Sequence, residues 1–482
     1  GTSITDTRTS ALRLDSKTAS LYYPNVFTIA NINMSSSAYI EESDDARRQM
    51  QSFFAMAQLG YKESLYLDVT ARNDWSSTLA FTERKSRGFF YPSVGLSWII
   101  PKSFSMPSLI SFGKVRASWS KVGNDIPLFV SNTVGHIAAG GIPQPNDTAP
   151  FGTLKPEMSS SFEIGTEWKF FDYRMDVDLT FYKTNTKNQL FSLPSSAGAA
   201  YKYYFVNAGN IQNMGVELTL GAVPILTNQF KWNTTLNFSR NKNEVKKLHD
   251  DLASFIQGDE GFSSSYTMRL VEGGSFGDIY GKAFERDKYG AIVYGRDGLP
   301  QEIGSGNTAK VGNCNPAFLL GWGNSFTYKD FSFYFLIDGH FGGDVLAQTQ
   351  AVLDQTGVSK VSGETRTMGY VDLEGHHIYN IKGFYEQVGG RNGVTEYYMY
   401  DATNIRLREL SLGYTLPKRL LGRKQFVKKA ELSFVARNLF FIYKKAPFDP
   451  DAVLSASNSN QGIDIFGIPT TRSVGFNVKL SF

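Results

Sequence analysis

The stretch FEIGTEWKFFDYRMDVDLTFY, residues 162–182, alternates large apolar and polar side chains on either side of a short break. Successive side chains of a β-strand point to opposite faces, so this spacing predicts two strands, each with one apolar and one polar face. Only Phe171 and Asp172 separate the two runs. We therefore predict a tight antiparallel hairpin here.

The same alternation recurs in segments of about ten residues along the chain. It is clear in 230–238, in 331–337 and in 474–482, which ends on Phe482. Reading each such segment predicts about fourteen strands. They are expected near 20–32, 50–61, 64–75, 88–100, 112–123, 160–171, 173–185, 203–221, 229–241, 316–327, 330–340, 404–414, 428–441 and 472–482.

The connections between these segments alternate between short and long. The long ones carry most of the Gly, Asn, Ser and Asp, and they are 33–49, 76–87, 124–159, 186–202, 242–315, 341–403 and 442–471. A soluble sandwich would disturb this alternation with Greek-key crossings. An outer-membrane barrel produces it directly, with short periplasmic turns and long external loops. We therefore predict an all-β fold, a multi-pass transmembrane antiparallel β-barrel in the bacterial outer membrane.

Composition excludes several other classes of protein. The chain has 482 residues, 41% of them hydrophobic and 20% charged, and a formal net charge of +4. That charge gives no electrostatic argument for a nucleic-acid partner. Cys314 is the single cysteine, so no intrachain disulfide can form. Because the sequence starts at Gly1 without a signal segment, we expect a processed product or part of a longer chain.

Several stretches, taken in order, resemble one family. They include FAMAQLGYKESLYLDVTARNDWSS (54–77), NAGNIQNMGVELTLGAVPI (207–225), NIRLRELSLGYTLP (404–417) and GIPTTRSVGFNVKLSF (467–482). Together they are similar to the SusC/RagA branch of TonB-dependent outer-membrane transporters. The resemblance covers most of the chain.

The resemblance implies a barrel of about 22 strands, of which this chain supplies about 14 C-terminal ones. In the family, an N-terminal plug fills the barrel and receives energy from TonB, and a SusD-like surface lipoprotein captures glycans or peptides. Residues 1–482 contain no recognisable plug, TonB box or first strands. We therefore expect 1–482 to be the C-terminal part of one barrel, completed by the N-terminal plug and barrel portion of the same transporter.

Signatures of enzymes and cofactors are weak. None of the histidines has the spacing of a metal protease, and His376 and His377 are better explained as loop residues. Asp287 and Asp297, each near a glycine, faintly resemble a calcium-binding turn series, with hairpin turn chemistry as the alternative. We therefore predict no enzymatic activity, no cofactor and no metal site beyond this calcium alternative.

Two groups of polar residues are candidates for contact with cargo. Near the expected external rim, aromatic and hydrogen-bonding groups could meet a sugar or a peptide, although local capping of strand ends explains them as well. These residues are Asn73, Asp74, Trp75, Asn124 and Asp125. The second group, Asp338 and His340, is expected to face the lumen near the outer end of its strand.

The predicted function is therefore a nutrient import channel. This chain would form the barrel wall and external loops, take up glycans or peptides with a SusD-like lipoprotein, and contact outer-membrane lipids. Two alternatives remain open. A self-contained 14-stranded diffusion channel would conduct ions alone, and a surface-exposed binding β-protein would be soluble without detergent.

Overall fold

The computed structural model describes residues 1–15, 21–33, 39–82, 88–138, 142–144, 146–150, 154–195, 199–249, 252–257, 265–304, 306, 308–421, 426–454 and 460–482. The chain divides into two compact units. The first comprises Gly1–Trp98, Arg116–Glu163 and Thr184–Ile211. The second comprises Ile99–Val115, Ile164–Lys183 and Gln212–Phe482.

The main sheet has fourteen strands, hydrogen-bonded to one another in chain order. They are β1 (Thr2–Asp15), β2 (Tyr39–Tyr61), β3 (Leu65–Ser76), β4 (Gly88–Ile99), β5 (Ile110–Asn124), β6 (Glu157–Phe170), β7 (Met175–Pro194), β8 (Tyr203–Leu226), β9 (Phe230–Lys247), β10 (Phe318–Tyr328), β11 (Phe331–Phe341), β12 (Asn404–Thr415), β13 (Lys429–Lys444) and β14 (Ser473–Ser481). The all-β class and the predicted number of strands are confirmed.

Strand register in the second unit separates a polar face from an apolar one. Paired residues of an antiparallel sheet share a face. Gly321 pairs with both Asn237 and Asp338, which places these residues in one polar row. On the opposite face Phe434 pairs with Phe476, and Phe476 is 85% exposed. An exposed apolar face of this kind suits contact with lipid.

The first predicted strand, 20–32, is wrong. The strand lies earlier, at Thr2–Asp15, and pairs with Tyr39–Tyr61, whereas the described part of the predicted segment holds a single bridge and one 3-10 turn. Polar side chains occupy both faces of the true strand, so no apolar alternation marks it. A cross-strand ion pair joins the two strands, with Arg47 Nε 3.0 Å from Asp6 Oδ1.

The hairpin in 162–182 has a longer turn than predicted. Strand β6 ends at Phe170 and β7 begins at Met175, so four residues connect them instead of two. Phe171, Asp172 and Tyr173 all have positive φ angles, of 54°, 52° and 64°. Two added residues preserve the two-residue period, so the predicted faces of the strands are unaffected.

The connections between the main strands have secondary structure of their own. The helices are α1 (Gln348–Gln355), α2 (Lys360–Met368) and α3 (Ile381–Val388), and the 3-10 turns are Ile29–Asn31, Ser77–Leu79, Ile100–Lys102, Thr395–Tyr398 and Lys418–Leu420. Small sheets are formed by Ser254–Gln257, Tyr266–Val271, Asp278–Gly281 and Ala309–Asn313, by Met399–Asp401, Asp344–Ala347 and Ile463–Asp464, by Val371–Leu373 and His376–Ile378, and by His136–Ala138 and Ile142–Gln144. No helix in the described part of the chain combines the length and hydropathy needed to cross a membrane.

Three of these connections share one hydrophobic core. Residues from 248–317, 342–403 and 445–472 contribute to it, among them Met268, Phe384 and Ile463, each at most 2% exposed. A backbone hydrogen bond of 2.9 Å from Leu346 N to Gly462 O links two of the connections. We call this assembly the outer-loop core. These connections are therefore a packed structure rather than independent loops.

The apolar face yields a prediction that one strand can test. Phe476→Lys should lower the free energy of unfolding in lipid vesicles by about 2 kcal/mol, because a lysine on the lipid-facing side is poorly solvated. Asn477→Lys, on the polar face of the same strand, should change it by less than about 0.5 kcal/mol. Guanidinium unfolding of both variants measures the difference, and equal losses would contradict the assignment of the two faces.

Candidate functional site

A cleft of 460 Å³ opens in the second unit along β8 to β12, beside Asp451 of the connection 445–472. Its floor is open at Gly321, because a Cβ there would have only Asn237 Cβ within 4 Å, at 3.9 Å. Most of its remaining lining is polar or charged. The polar lining includes Glu217, Ser239, Asp338, His340, Asn404, Arg408 and Asp451.

Two arginines organise the acidic wall of the cleft. Arg408 donates two hydrogen bonds to Asp338, one of them from Nε at 2.9 Å. Arg406 is only 1% exposed, donates to Asp451 through Nη2 and lies over the ring of Phe441 at 5.1 Å. A buried guanidinium is stable only when it is paired, so Asp451 fixes Arg406 in place.

Three neighbouring polar atoms of this wall are buried without a hydrogen-bond partner among the described residues. They are Asp338 Oδ1, Arg406 Nε and His340 Nε2. The first two lie 3.7 Å apart, which is too long for a hydrogen bond. Buried polar groups are nearly always paired in folded proteins. The guanidinium of Arg406 therefore lies behind the wall and attracts the Asp338 carboxylate by charge, without a hydrogen bond at this distance.

The structure brings Asp338 and His340 together in this cleft, as their positions in the sequence suggested. Sequence reasoning missed three partners, Arg406, Arg408 and Asp451. The spacing of the two arginines in NIRLREL was a usable signal, because alternate residues of a strand share a face. Asp451 had no such signal, since it lies in a long connection.

Asp74 is anchored inside the first unit and does not face an open surface. It is 4% exposed, accepts a hydrogen bond from Arg72 Nε at 2.7 Å and accepts another from the Tyr91 hydroxyl. Arg72 also donates to Ser52 Oγ at 2.9 Å. The carboxylate is therefore used within the sheet, and the predicted cargo contact is replaced by an anchoring role.

Asp125 is anchored in a similar way at the end of β5. It is 8% exposed and accepts hydrogen bonds from Arg48 Nε at 3.0 Å, Ser76 Oγ at 2.5 Å and Thr78 Oγ1 at 3.2 Å. These bonds hold the turn after β3 beside a small core that contains Leu79. Asp125 therefore anchors the end of a strand, which is the alternative to cargo contact that the sequence left open.

The hydrogen bonds of Asp74 and Asp125 do not involve the remaining rim residues, Asn73, Trp75 and Asn124. Asn73 pairs with Phe90, on the face opposite Asp74, because successive residues alternate. Trp75 lies on the same face as Asn73 and is 42% exposed. Asn124 is also exposed. The predicted rim group is therefore divided between the two faces of the sheet.

The calcium alternative gains no support. Asp287 Oδ1 accepts the backbone N–H groups of Tyr289 and Ala291, and Asp297 Oδ1 accepts that of Leu299. Each aspartate therefore caps its own turn, which is the hairpin chemistry considered as the alternative. Within the described ranges, no group of three or more His, Cys, Asp or Glu side chains could hold a metal ion.

An ion-pair clamp joins two of the connections that form the outer-loop core. Arg286 donates to Glu374 Oε1 and Glu396 Oε1, both at 2.8 Å. The hydrogen bonds that Arg286 donates to Glu374 and, second, to Glu396 raise the pKa of Arg286, and the bond that Glu374 accepts lowers the pKa of Glu374. The clamp therefore requires ionised carboxylates.

Comparison with known proteins adds an independent line of information. Residues 4–255 match the family described as TonB dependent receptor-like, beta-barrel. The chain is 26% identical to TonB-dependent receptor P3 of Formosa agariphila over 93% of this chain and 47% of the relative. It is 22% identical to TonB-dependent receptor SusC of Bacteroides thetaiotaomicron over 92% of this chain and 46% of the relative.

Among solved structures, the fold is similar to that of the RagAB peptide importer in its open-open state. The TM-score is 0.72 at 18% identity, over 93% of this chain and 48% of that chain. The chain spans about half the length of the curated relatives it matches. The predicted resemblance to SusC/RagA transporters and the outer-membrane location are confirmed.

The anchoring role of Asp125 predicts a local effect on stability. Asp125→Ala removes several charge-assisted hydrogen bonds, so opening of the segments 77–82 and 126–131 should become easier by about 3 kcal/mol. Hydrogen–deuterium exchange there should accelerate roughly a hundredfold. The neighbouring Asn124→Ala variant should leave exchange unchanged, and a similar acceleration in both variants would refute the assignment.

The clamp predicts a dependence on pH. Glu374 has a lowered pKa, so its contribution is present above its ordinary value of 4.5 and is lost as the pH falls through the lowered value. At pH 7, Arg286→Gln should speed hydrogen exchange in 371–378 about fivefold relative to the parent protein. At pH values below the lowered pKa of Glu374, the ratio of the exchange rate of the variant to that of the parent protein should approach one. Arg296→Gln, an exposed arginine in the same connection, is the control, and a ratio independent of pH would contradict the clamp.

Proposed function

Because the chain belongs to the TonB-dependent receptor β-barrel family, we propose that it forms wall and external loops of an outer-membrane nutrient importer. The importer takes up glycans or peptides together with a SusD-like surface lipoprotein. The observation that carries the proposal is the cleft on the polar face, which is lined by the Arg408–Asp338 ion pair, His340 and Asp451. The name of the RagAB peptide importer supports peptides as one cargo class for this chain.

The barrel is completed by further strands. The sheet order has β1 at one end and β14 at the other, so each has an unpaired edge within the described residues. Every residue of β14 is exposed. In lipid, each unpaired backbone N–H and C=O group is strongly unfavourable, so the edges need partners. Additional strands from the N-terminal portion of the same transporter bring the total to about 22, and its plug closes the lumen and receives energy through TonB.

Cargo contact is assigned to the wall around Asp338 and His340. Arg408 and Asp338 form one charged pair, and Arg406 and Asp451 form a second. Both signs of charge therefore border the cleft, which suits cargo with amide, hydroxyl or charged groups. Transport in this scheme involves binding and release without covalent chemistry, so the chain acts as a transporter and not as an enzyme.

Native mass spectrometry of the complex, extracted gently from outer membranes, tests this function. We expect a plug-bearing polypeptide and a SusD-like lipoprotein together with this chain. Recovery of a detergent-bound monomer that conducts ions alone in planar bilayers would overturn the proposal. That outcome would support the self-contained 14-stranded channel.

A further inference from the structure

A second cleft, of 520 Å³, lies entirely within the connection 342–403. The end of α1, the side chain of Arg366 on α2 and the first turn of α3 form its walls. Its floor includes Asp354 and Tyr385, which are 2% and 3% exposed. It shares no lining residue with the polar-face cleft. We call it the loop cleft.

An exposed aromatic ring borders the loop cleft. Tyr379 is 75% exposed, although large aromatic side chains are usually covered in a folded protein. Its ring lies 6.4 Å from that of Tyr370, which in turn stacks on His377 at 4.0 Å. This row supports Tyr379 from one side and leaves most of its surface open to a ligand. A tyrosine ring offers both an apolar face and a polar hydroxyl group.

An arginine at the loop cleft is held in place without a carboxylate partner. Arg366 Nη1 donates to the carbonyl oxygen of Gly357 at 3.0 Å. In the described part of the chain, no carboxylate lies within ion-pair distance of Arg366. Lys382, by contrast, faces Glu386 at 3.6 Å. Lys382 and Glu386 also line the cleft and pair with each other, which leaves Arg366 without an ion-pair partner among the described residues.

The floor of the cleft does not supply the missing negative charge. Asp354 accepts hydrogen bonds from Gln350 at 2.7 Å, from the Tyr398 hydroxyl at 3.1 Å and from the Ser359 hydroxyl. Burial raises the pKa of Asp354 from its ordinary value, while these three hydrogen bonds act in the opposite direction. Its carboxyl group is thus part of the loop structure and is not available to neutralise Arg366.

We propose that the loop cleft binds an acidic sugar, in which a pyranose ring stacks on Tyr379 and its carboxylate pairs with Arg366. A guanidinium can pair with a carboxylate through two parallel hydrogen bonds, which gives geometric selectivity. Asn380 accepts the N–H of Gly383 at 3.0 Å, so its amide NH₂ can donate to a sugar hydroxyl. The proposal rests on the proposed function, because it names the cargo class that the external loops meet.

The residues that line the loop cleft favour a sugar over an extended peptide. Extended peptides are commonly recognised by pairing with the backbone of an exposed strand edge. None of the residues that line the loop cleft belongs to a strand; they lie on helices and the turns beside them. An aromatic face beside a fixed cation instead matches a compact ring that carries a negative group.

Isothermal titration calorimetry on the intact protein in detergent tests the proposal. The probes are a galacturonate oligosaccharide and its neutral methyl ester. We expect the acidic form to bind, with affinity that falls as salt is raised. Tyr379→Ala and Arg366→Gln should each weaken binding about tenfold or more, and Arg366→Lys should recover only part of the loss.

Matched control variants show whether the loss of binding is specific to the loop cleft or follows from any change of an exposed side chain. Tyr289→Ala removes another tyrosine, 83% exposed, from a different connection, and Lys360→Gln removes an exposed cation from α2 itself. Both should bind the acidic probe as tightly as the parent protein does. Equal binding of the methyl ester, tighter binding of an acidic peptide of matched charge, or equal loss in the controls would overturn the proposal.

The calorimetry and the native mass spectrometry together distinguish failure of this proposal from failure of the proposed importer. If the parent protein does not bind the acidic probe although the lipoprotein and plug are found with it, this inference is wrong and the proposed importer stands. If the probe binds with the expected variant pattern but the chain is recovered as a self-sufficient channel, the loop cleft stands and the proposed importer is wrong.

Discussion

The backbone of a chain in lipid must satisfy its own hydrogen bonds, and the rest of this structure depends on that constraint. Fourteen strands pair in chain order, so that neighbouring strands supply each other's partners. In the second unit the same pairing separates a polar face from an apolar one, as the row from Asn237 through Gly321 to Asp338 illustrates. The polar-face cleft lies along that row, and residues of β8 to β12 together with Asp451 line it.

Outside the sheet, the chain follows the rules of soluble proteins. Three long connections bury a shared core that includes Phe384 and Ile463, and the Arg286 clamp ties two of them together. Helices and short strands are stable there because tertiary packing supports them. The loop cleft lies beside this shared core, and the buried Tyr385 belongs to both.

Much of the sheet could be predicted from the sequence, because half-buried strands carry a two-residue period. Strand β1 could not, since both of its faces are polar. The outer-loop core was also missed, because its segments are short and lack a sustained period. At the sites, alternation placed Asp338 and His340 on one face, but partners from distant connections, such as Asp451, have no local signature. The burial of Asp74 and Asp125 could not be predicted, because tertiary contacts leave no trace in a linear pattern.

Disulfide cross-linking of the two sheet edges tests directly whether this sheet is an open segment of a larger barrel. Cys314 is the single cysteine of the sequence, and Cys314→Ser removes it as a competing thiol. Cysteines at positions 433 and 477, which pair across β13 and β14, should cross-link as a positive control. An open segment predicts no cross-link between position 477 and any position along β1. An efficient β1–β14 disulfide in the membrane would show that fourteen strands close on themselves.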